Sequence, residues 1–430
     1  MSFPPYRISG TIRVKKLMPH AHKKIRALNR SAVLNTIITH GPISRVRLSR
    51  STGLNQSTVS KITSELIGEG AIYEASQDDA NALGRKPVNL RVSPSYRIYG
   101  SIDTTIRHAT LSVCDLSGEV LSQQQIETFP NDADKFFDLC AARLAEMVDE
   151  FTQPLAGVSV IVAAVLNSET GMIFWNNRLG WKNVSCRKPV ERHFECPVFV
   201  ENNAKAGAVA EFWFADEARG LSNFVYVLVC EGVGIGTVIH GKLYNGARFM
   251  DGRFYSGIVE IDGDYETPSK GTTWEDKASF EGIVDRYCEL SGQPREDDFG
   301  SQAIRLIDMA VEGDSDARKA LRETAKWLGA GLANINNGLD PERIILCGHL
   351  VKAWKLIYPE LLDQLRSRAP YPMEHLPDLI VPCSLQNPTF SGARALVLQH
   401  MLGDHDDGSQ PVARTRKSTS KTSRLEGVPA

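Results

Sequence analysis

Apolar residues recur at helical spacing in three short segments near the N-terminus. A Gly-Pro pair ends the first segment, residues 24–39. Its apolar positions are Ile25, Leu28, Ala32, Ile37 and Ile38. A second helix is predicted for residues 45–52, because Ser44 suits the N-cap and Gly53 supplies the turn that follows.

The third segment begins after Asn55, and its apolar residues Val59, Ile62 and Leu66 share one helical face. Three short helices with a glycine-containing turn before the last predict a helix-turn-helix domain. The polar start of the third helix then lies on the outer surface, which is the part that enters a DNA major groove. Its side chains can hydrogen-bond to bases or phosphates. The predicted DNA-binding residues here are Asn55, Gln56, Ser57, Thr58, Ser60 and Lys61.

A β-hairpin is predicted directly after the third helix. AIYEA is its first strand, SQDDANAL its turn and GRKPVNLRV its second strand. The returning strand carries Arg85 and Lys86 in an extended basic stretch that can lie along a minor groove. The hairpin therefore predicts a wing, and we add Arg85 and Lys86 to the DNA-binding residues.

From Ile98 onward, strand and helix patterns alternate, which is typical of an α/β body. GVSVIVAAVL, residues 157–166, is predicted to be one buried strand, and residues 133–151 a helix. CPVFVENNAKAGAVAEFWF predicts a strand followed at once by a helix. The last residues are polar and aperiodic. We therefore predict a mobile arm at 1–22, a winged helix-turn-helix at 23–92, a body at 93–401 and a disordered basic tail at 402–430.

Charge is distributed unevenly along the 430 residues, although the formal net charge is only -2. Residues 1–90 hold 14 Lys and Arg against 5 Asp and Glu. A basic head on an acidic body predicts an anionic partner for the head, of which nucleic acid is the commonest. The longest apolar stretch, VSVIVAAVL, is shorter than the roughly 18 residues of a membrane span. With no apolar segment near the N-terminus, we expect a cytoplasmic protein without a membrane partner.

The eight cysteines lie at least ten positions apart, so their spacing matches neither a zinc knuckle nor a disulfide framework. Scattered cysteines of this kind are most often small buried residues.

Four motifs together resemble the ROK family of repressors and sugar kinases, especially its repressors with an N-terminal winged helix-turn-helix. They are NNRLGW ending at Trp181, VENNAKAGAVAE at 200–211, NFVYVLVCEGVGIG at 223–236 and TWEDKAS at 273–279. The resemblance implies an α/β fold in which the winged helix-turn-helix precedes a two-lobed, actin-like sugar-kinase body. It also implies a homodimer or homotetramer.

Several departures from the family pattern point away from kinase activity. The kinases have N-D-A, whose aspartate is the general base, where this chain has Asn202-Asn203-Ala204. An amide cannot accept that proton, so Asn203 can bind a hydroxyl group but cannot activate it. The first phosphate loop, D-x-G-G-T in kinases, reads DTTIR at 103–107 and lacks both glycines. In the second loop, Glu231 stands where kinases place a small hydroxyl residue, and its charge would repel phosphates.

The family's zinc motif is also missing, since residues 254–275 contain neither Cys nor His. We therefore expect no metal site, no cofactor and no catalytic residue.

The resemblance also implies a partly preserved sugar pocket. Asn177, Asn202 and Glu275 match family positions that hydrogen-bond to sugar hydroxyls, and Asn203 completes the predicted ligand-binding set. Arg253 and Ser256 replace the usual Glu and His, which leaves open an unusual sugar, a charged derivative or no ligand. Structural alternatives remain: Asn177 as a loop cap, and Glu275 as a partner of a helix dipole.

These predictions combine into a DNA-binding transcriptional regulator, a repressor that senses a carbohydrate-type ligand and lacks kinase activity. Its partners would be a double-stranded operator and a sugar or sugar derivative. Two alternatives remain: a sugar kinase with an added DNA-binding head, and an oligomer that binds DNA independently of any ligand.

Overall fold

The computed structural model describes residues 19–75, 88–128, 131–176, 178–260, 271–368 and 376–402. Its first part is a small head of three helices and a three-stranded sheet of order β1-β3-β2. The elements are α1 (Pro19–His40), β1 (Ile43–Ser44), α2 (Arg45–Thr52), α3 (Gln56–Gly68), β2 (Ile72–Ala75) and β3 (Asn89–Val92). The predicted second and third helices and the antiparallel strand pair are confirmed.

The apolar stripe predicted for the first helix is wrong in part. Leu28 is 40% exposed and Ala32 is also exposed. The buried residues are Val33, Leu34, Ile37 and Ile38. Because α1 packs on the rest of the head and on the last helix of the body, the contacts made in the folded chain select its buried face.

The first lobe of the body is built on a five-stranded sheet of order β11-β7-β4-β5-β6. Its strands are β4 (Ile98–Thr104), β5 (His108–Asp115), β6 (Val120–Glu127), β7 (Leu155–Val162) and, after three further strands, β11 (Val198–Asn202). Those three form a small separate sheet: β8 (Val165–Asn167), β9 (Met172–Asn176) and β10 (Trp181–Ser185). The helices are α4 (Ala133–Asp149) and α5 (Arg187–Glu191), and α6 (Asn203–Phe214) follows β11 at once.

The second lobe repeats this strand order. Its sheet runs β14-β13-β12-β17-β18, in which a parallel group is joined to antiparallel strands as in the first lobe. Its strands are β12 (Phe224–Val229), β13 (Val233–Ile239), β14 (Lys242–Leu243), β17 (Arg343–Cys347) and β18 (Ile380–Pro382). The pair β15 (Ile258–Glu260) and β16 (Thr272–Thr273) stands apart from that sheet.

Helices complete the second lobe and the C-terminal end of the described chain. They are α7 (Trp274–Ala278), α8 (Phe280–Ser291), α9 (Phe299–Glu312), α10 (Ser315–Leu339), α11 (Trp354–Arg368), α12 (Leu376–Leu379) and α13 (Pro388–Leu402). Short 3-10 helices lie at Arg253–Ser256 and His349–Ala353. Each lobe has its own apolar core. The predicted α/β fold, a winged helix-turn-helix before a two-lobed body, is confirmed.

One predicted strand is interrupted. The apolar run at 157–166 divides into β7 and β8, with a bend at Ala163 and Ala164. The carbonyl oxygens of these two residues accept hydrogen bonds from the side-chain amides of Asn176 (3.0 Å) and Asn202 (3.1 Å). Hydrogen bonds from the last residues of β9 and β11 therefore stabilise a bend that the hydrophobic pattern could not reveal.

The head joins the body through a shared apolar cluster. Buried residues of α1, including Ile37 and Ile38, pack in one cluster with Val397 and Leu398 of α13. Helix α13 in turn packs closely on α6, where a Cβ on Gly392 would overlap the carbonyl oxygen of Ala206. The head is thus connected, through α13, to the helix that begins at Asn203.

Candidate functional site

Capping residues define both ends of α2 and the start of α3. Ser44 caps α2 by accepting a hydrogen bond from the Arg47 N–H at 3.3 Å, and Gly53 ends α2 with a φ of 69°. Asn55 caps α3, because its Oδ1 accepts hydrogen bonds from the Thr58 N–H at 2.7 Å and the Ser57 hydroxyl at 2.8 Å. With Val59 and Leu66 fully buried beneath, the outer face of α3 is held in one orientation.

Most of the residues predicted to bind DNA are exposed at the start of α3. Gln56, Ser57, Ser60 and Lys61 are exposed, and Thr58 is half-buried. The exposed Asn55 uses its carbonyl oxygen for the cap. Arg85 and Lys86 lie outside the described residues. Four polar side chains therefore share one accessible surface at the N-terminal end of a helix, where backbone N–H groups also favour phosphate.

Other basic residues of the head divide into paired and unpaired groups. Arg26, Arg30 and Arg45 form ion pairs with Glu65, Glu69 and Glu74, respectively. Arg47 and Arg50 of α2 are exposed and form no ion pair within the described part of the chain. Sequence reasoning missed these two residues as phosphate-binding candidates, although helical spacing from the buried Leu48 would have placed them outward.

A cleft of about 440 Å³ lies between the two lobes of the body. Residues 103–106 at the end of β4, residues 230–235 after β12, and the start of α6 all line it. The predicted ligand residues Asn202, Asn203 and Glu275 line it as well. Asn177 lies outside the described residues. The structure therefore brings together three of the four predicted ligand residues.

Asn202 and Asn203 differ in how far the protein already uses their amides. Asn202 Oδ1 caps α6 by accepting from the Ala204 and Lys205 N–H groups at 2.9 and 3.2 Å, and its Nδ2 donates to the Ala164 carbonyl. Asn203 Oδ1 also accepts from the Ala204 N–H, at 2.9 Å. Its Nδ2 makes no hydrogen bond within the described residues, so Asn203 retains a free donor for a ligand hydroxyl.

Glu275 reaches the cleft from the first turn of α7. Its Oε2 accepts a hydrogen bond from the Val233 N–H at 2.8 Å, and a Cβ on Gly232 would lie 2.6 Å from the same oxygen. Burial raises the pKa of Glu275, while the Val233 hydrogen bond and nearby Arg178 oppose that shift. Glycine at 232 therefore allows the glutamate to approach the β12–β13 turn, leaving Oε1 for a ligand.

Two carboxyl groups of the first lobe have raised pKa values: Asp103 lines the cleft, and Glu201 is buried next to Asn202. Burial raises the pKa of the Asp103 carboxyl to about 7, and that of Glu201 to about 7 despite the opposing charge of Lys205. Lys205 itself pairs with Asp251 at 2.7 Å, both side chains being 6% exposed. Asp103 makes no hydrogen bond to the described part of the chain, so its carboxyl is available to a polyol near neutral pH.

The β4–β5 turn, which would form a phosphate loop in a kinase, is bound by side chains at the start of α9 instead. Arg107, in the β4–β5 turn, forms an ion pair with Asp298 of the second lobe and donates to Ser301 Oγ at 3.1 Å. Glu231 and Arg107 both lie against Gly300. An ion pair therefore spans the lobes beside the very turns that a kinase would use to bind nucleotide phosphates.

Asn176, next to the predicted Asn177, has a loop-capping role. Its Oδ1 accepts from the Arg178 and Leu179 N–H groups at 3.1 and 3.0 Å, and its Nδ2 bonds to Ala163. Sequence reasoning missed Asn176, and only the turn signal after β9 could have indicated it.

The described residues contain no group of three or more His, Cys, Asp or Glu side chains arranged to bind a metal ion. None of the helices within them has the length and apolar character needed to cross a bilayer.

Known proteins resemble this chain both in the body alone and over most of its length. A sequence model described as the ROK family matches residues 99–400. The xylose repressor of Bacillus spizizenii is 27% identical over 382 residues, which cover 88% of this chain and 97% of the repressor.

Solved structures agree with this comparison. A ROK family transcriptional regulator, described as a homolog of the E. coli MLC protein, has a TM-score of 0.69 and 25% identity, covering 88% of this chain and 97% of its own. A ROK glucokinase from Streptomyces griseus, solved with glucose and AMPPNP, has a TM-score of 0.58 and 22% identity, covering 70% and 98%. The likeness to the kinase shows the fold alone.

Proposed function

This chain belongs to the ROK family, and from that premise we propose that it is a transcriptional repressor whose DNA binding is controlled by a sugar-type ligand. The observation that carries the proposal is the capped, exposed polar start of α3 in a basic winged head. The repressor and regulator named above resemble the chain over 88% of its length, which supports the same function.

DNA would be bound by the predicted residues of α3, with Arg85 and Lys86 of the wing in the minor groove. Gln56, Ser57 and Ser60 offer hydrogen bonds to base edges, while Lys61 suits phosphate oxygens. Arg47 and Arg50 extend the phosphate contacts along α2. The proposed division keeps the body at 93–401 and the tail at 402–430, whereas the head predicted at 23–92 extends back to Pro19, because α1 begins there and shortens the arm predicted at 1–22.

The effector would bind in the cleft between the lobes. Asn177, Asn202, Asn203 and Glu275 form the proposed ligand set, in which Asn203 Nδ2 and Glu275 Oε1 are the groups left open by the protein's own hydrogen bonds. Because a ligand held by both lobes favours one degree of closure, it can shift the protein between conformations that differ in DNA affinity.

Transmission to the head would follow α6 and α13. Helix α6 begins at Asn203 in the cleft and ends at Phe214, over whose ring the Arg394 guanidinium lies at 4.6 Å. Arg394 also donates to the Ile38 carbonyl oxygen of α1 at 3.3 Å. A shift of α6 relative to the first lobe would therefore move the support of the head.

We propose no phosphoryl transfer for this chain. Asn203 cannot act as a general base, and the Arg107–Asp298 ion pair lies beside the turns that would bind nucleotide. A kinase with an added head would turn over ATP, whereas a ligand-independent oligomer would bind DNA equally with and without sugars. In the cytoplasm, the proposed repressor would act as a homodimer or homotetramer, since paired heads read two half-sites.

Selection from a random duplex library with the full chain tests the proposed function. We expect enrichment of a sequence with repeated half-sites, bound at least about 10³-fold more tightly than a scrambled duplex. Gln56→Ala should weaken the selected site by about 1–3 kcal/mol, while Lys182→Ala, an exposed change in the body, should not. Absence of any enriched sequence would refute the assignment.

A further inference from the structure

Arg253 lines the cleft and is one of the residues that depart from the family pattern. It begins the 3-10 helix Arg253–Ser256, directly after Gly252 with a φ of 73°. Its guanidinium carbon lies 4.9 Å from the ring centre of Trp175 and 6.0 Å from that of Tyr255. These cation–π contacts hold the guanidinium in the cleft wall, where it can meet a ligand.

Among the described residues that line the cleft, the other two cations already have protein partners. Lys205 pairs with Asp251 at 2.7 Å, and Arg178 lies 3.4 Å from Glu281 and donates to the Glu231 carbonyl oxygen. Arg253 forms no ion pair with any residue that the structure describes, and its Nε is buried without a hydrogen bond. Because an unpaired buried donor is costly, a ligand anion that pairs with this guanidinium would gain affinity.

The carboxyl groups of the cleft limit the negative charge that a ligand can carry there. Asp103, Glu231, Asp251 and Glu275 all line the same cleft, and only Asp251 has a cation within ion-pair distance among the described residues. A phosphate dianion would meet several carboxylates at close range, whereas a carboxylate carries a single charge. The carboxyl oxygens of Asp103 and Glu275 can accept hydrogen bonds from the hydroxyl groups of such a ligand, and Asn203 Nδ2 can donate one to them.

We propose that the effector is a sugar acid, a monosaccharide with one carboxylate, and that Arg253 binds this carboxylate as a specificity-determining residue. The inference rests on the proposed function and names the ligand class of the same cleft. Trp175 belongs to the first lobe and Arg253 to the second, so the carboxylate would bind where the two lobes meet. The hydroxyls would then reach Asn203 and Glu275.

Matched ligand pairs test this inference with the full chain. Isothermal titration compares glucuronate with glucose, galacturonate with galactose, and both acids with glucose 6-phosphate. We expect at least one acid to bind about tenfold or more tightly than its neutral partner and than the phosphate. Arg253→Gln should abolish that preference, and Arg253→Lys should retain part of it. The control is Arg248→Gln, a change at an exposed arginine close to the cleft in sequence, which should leave the preference unchanged.

Several outcomes would overturn the inference. They are a neutral sugar or the phosphate binding more tightly than the acids, no binding of either acid, and an unchanged preference in Arg253→Gln. If Arg253→Gln does not fold, Arg253→Met takes its place, and an unchanged preference in that variant would equally contradict the inference. A separate measurement of operator binding distinguishes the two proposals. If only neutral sugars release the protein from its operator, the sugar-acid proposal is wrong but the repressor function stands. If the protein binds no DNA sequence specifically, the repressor function itself is wrong.

Discussion

The guanidinium of Arg394 donates a hydrogen bond to the carbonyl oxygen of Ile38 at 3.3 Å, which connects the last helix of the body to the first helix of the head. The same side chain donates through Nε to the Leu116 carbonyl oxygen at 2.9 Å and lies over the Phe214 ring. One residue therefore contacts the head, the β5–β6 turn of the first lobe and α6. Its position connects the first helix of the head with α6, the helix that begins at Asn203 in the cleft.

Replacing Arg394 should loosen the head on the body. Arg394→Met removes two hydrogen bonds and leaves two carbonyl oxygens without this donor, so we expect a loss of about 1–3 kcal/mol in the free energy of unfolding. Amide hydrogen exchange in the last turn of α1 should become faster. Arg143→Met, an exposed change on α4, is the control, and unchanged exchange in α1 of the Arg394 variant would contradict the proposed link.

Lys61 should contribute to DNA affinity without contributing to sequence preference. Because Lys61 is exposed and suits a phosphate contact, Lys61→Ala should weaken all duplexes alike and reduce the slope of log K against log salt by about 1. Fluorescence anisotropy titrations at several salt concentrations measure this slope. A slope that equals that of the parent protein would exclude a phosphate contact, and Lys182→Ala serves as the matched lysine control.

Restoring the kinase aspartate should not restore kinase activity. Asn203→Asp supplies a carboxylate at the start of α6, yet the Arg107–Asp298 ion pair and Glu231 still lie at the turns that would hold phosphates. We expect neither the parent protein nor this variant to release ADP in a coupled assay with a panel of hexoses and pentoses. Turnover by either protein above a protein-free control would show that the cleft accepts nucleotide.

The Asp103 carboxyl should make the stability of the protein depend on pH. Burial raises its pKa from 3.8 to about 7, so between these values the unfolded chain has lost a proton that the folded chain retains. Because the unfolded chain ionises first, the free energy of unfolding falls as pH rises through this range, by up to about 1.4 kcal/mol per pH unit. Asp103→Asn, which cannot ionise, should match the parent near pH 4 and exceed its stability increasingly toward pH 7. Chemical denaturation across that range measures the difference, and a constant difference would contradict the raised pKa.

Local patterns were sufficient to predict the head, because its signals lie within a few residues of one another. Ser44 and Asn55 are residue types that favour helix N-caps, and Gly53 is the type that favours a left-handed helix end. The structure places each of them in that role. The buried face of α1 could not be predicted in this way. That face depends on α13, about 350 residues further along the chain, which no local periodicity reports.

The cleft was harder to predict for the same reason. The resemblance indicated Asn202, Asn203 and Glu275, and the structure places all three around one cavity. Sequence could not reveal that Asn202 is used by the α6 cap and the Ala164 carbonyl, that Arg107 reaches Asp298, or that Arg253 stacks on Trp175. Each of these contacts joins segments far apart in the chain.

The most direct test of the account is the affinity for the selected operator with and without the sugar or sugar acid that binds most tightly. Anisotropy of a labelled duplex should show that saturating ligand raises the Kd for the operator at least tenfold, a shift of about 1.4 kcal/mol. Glu275→Gln should reduce that response at the same ligand concentration, whereas Glu146→Gln, an exposed change on α4, should preserve it. An operator affinity that no sugar or sugar acid alters, or a full response in Glu275→Gln, would contradict control of the DNA-binding head by this cleft.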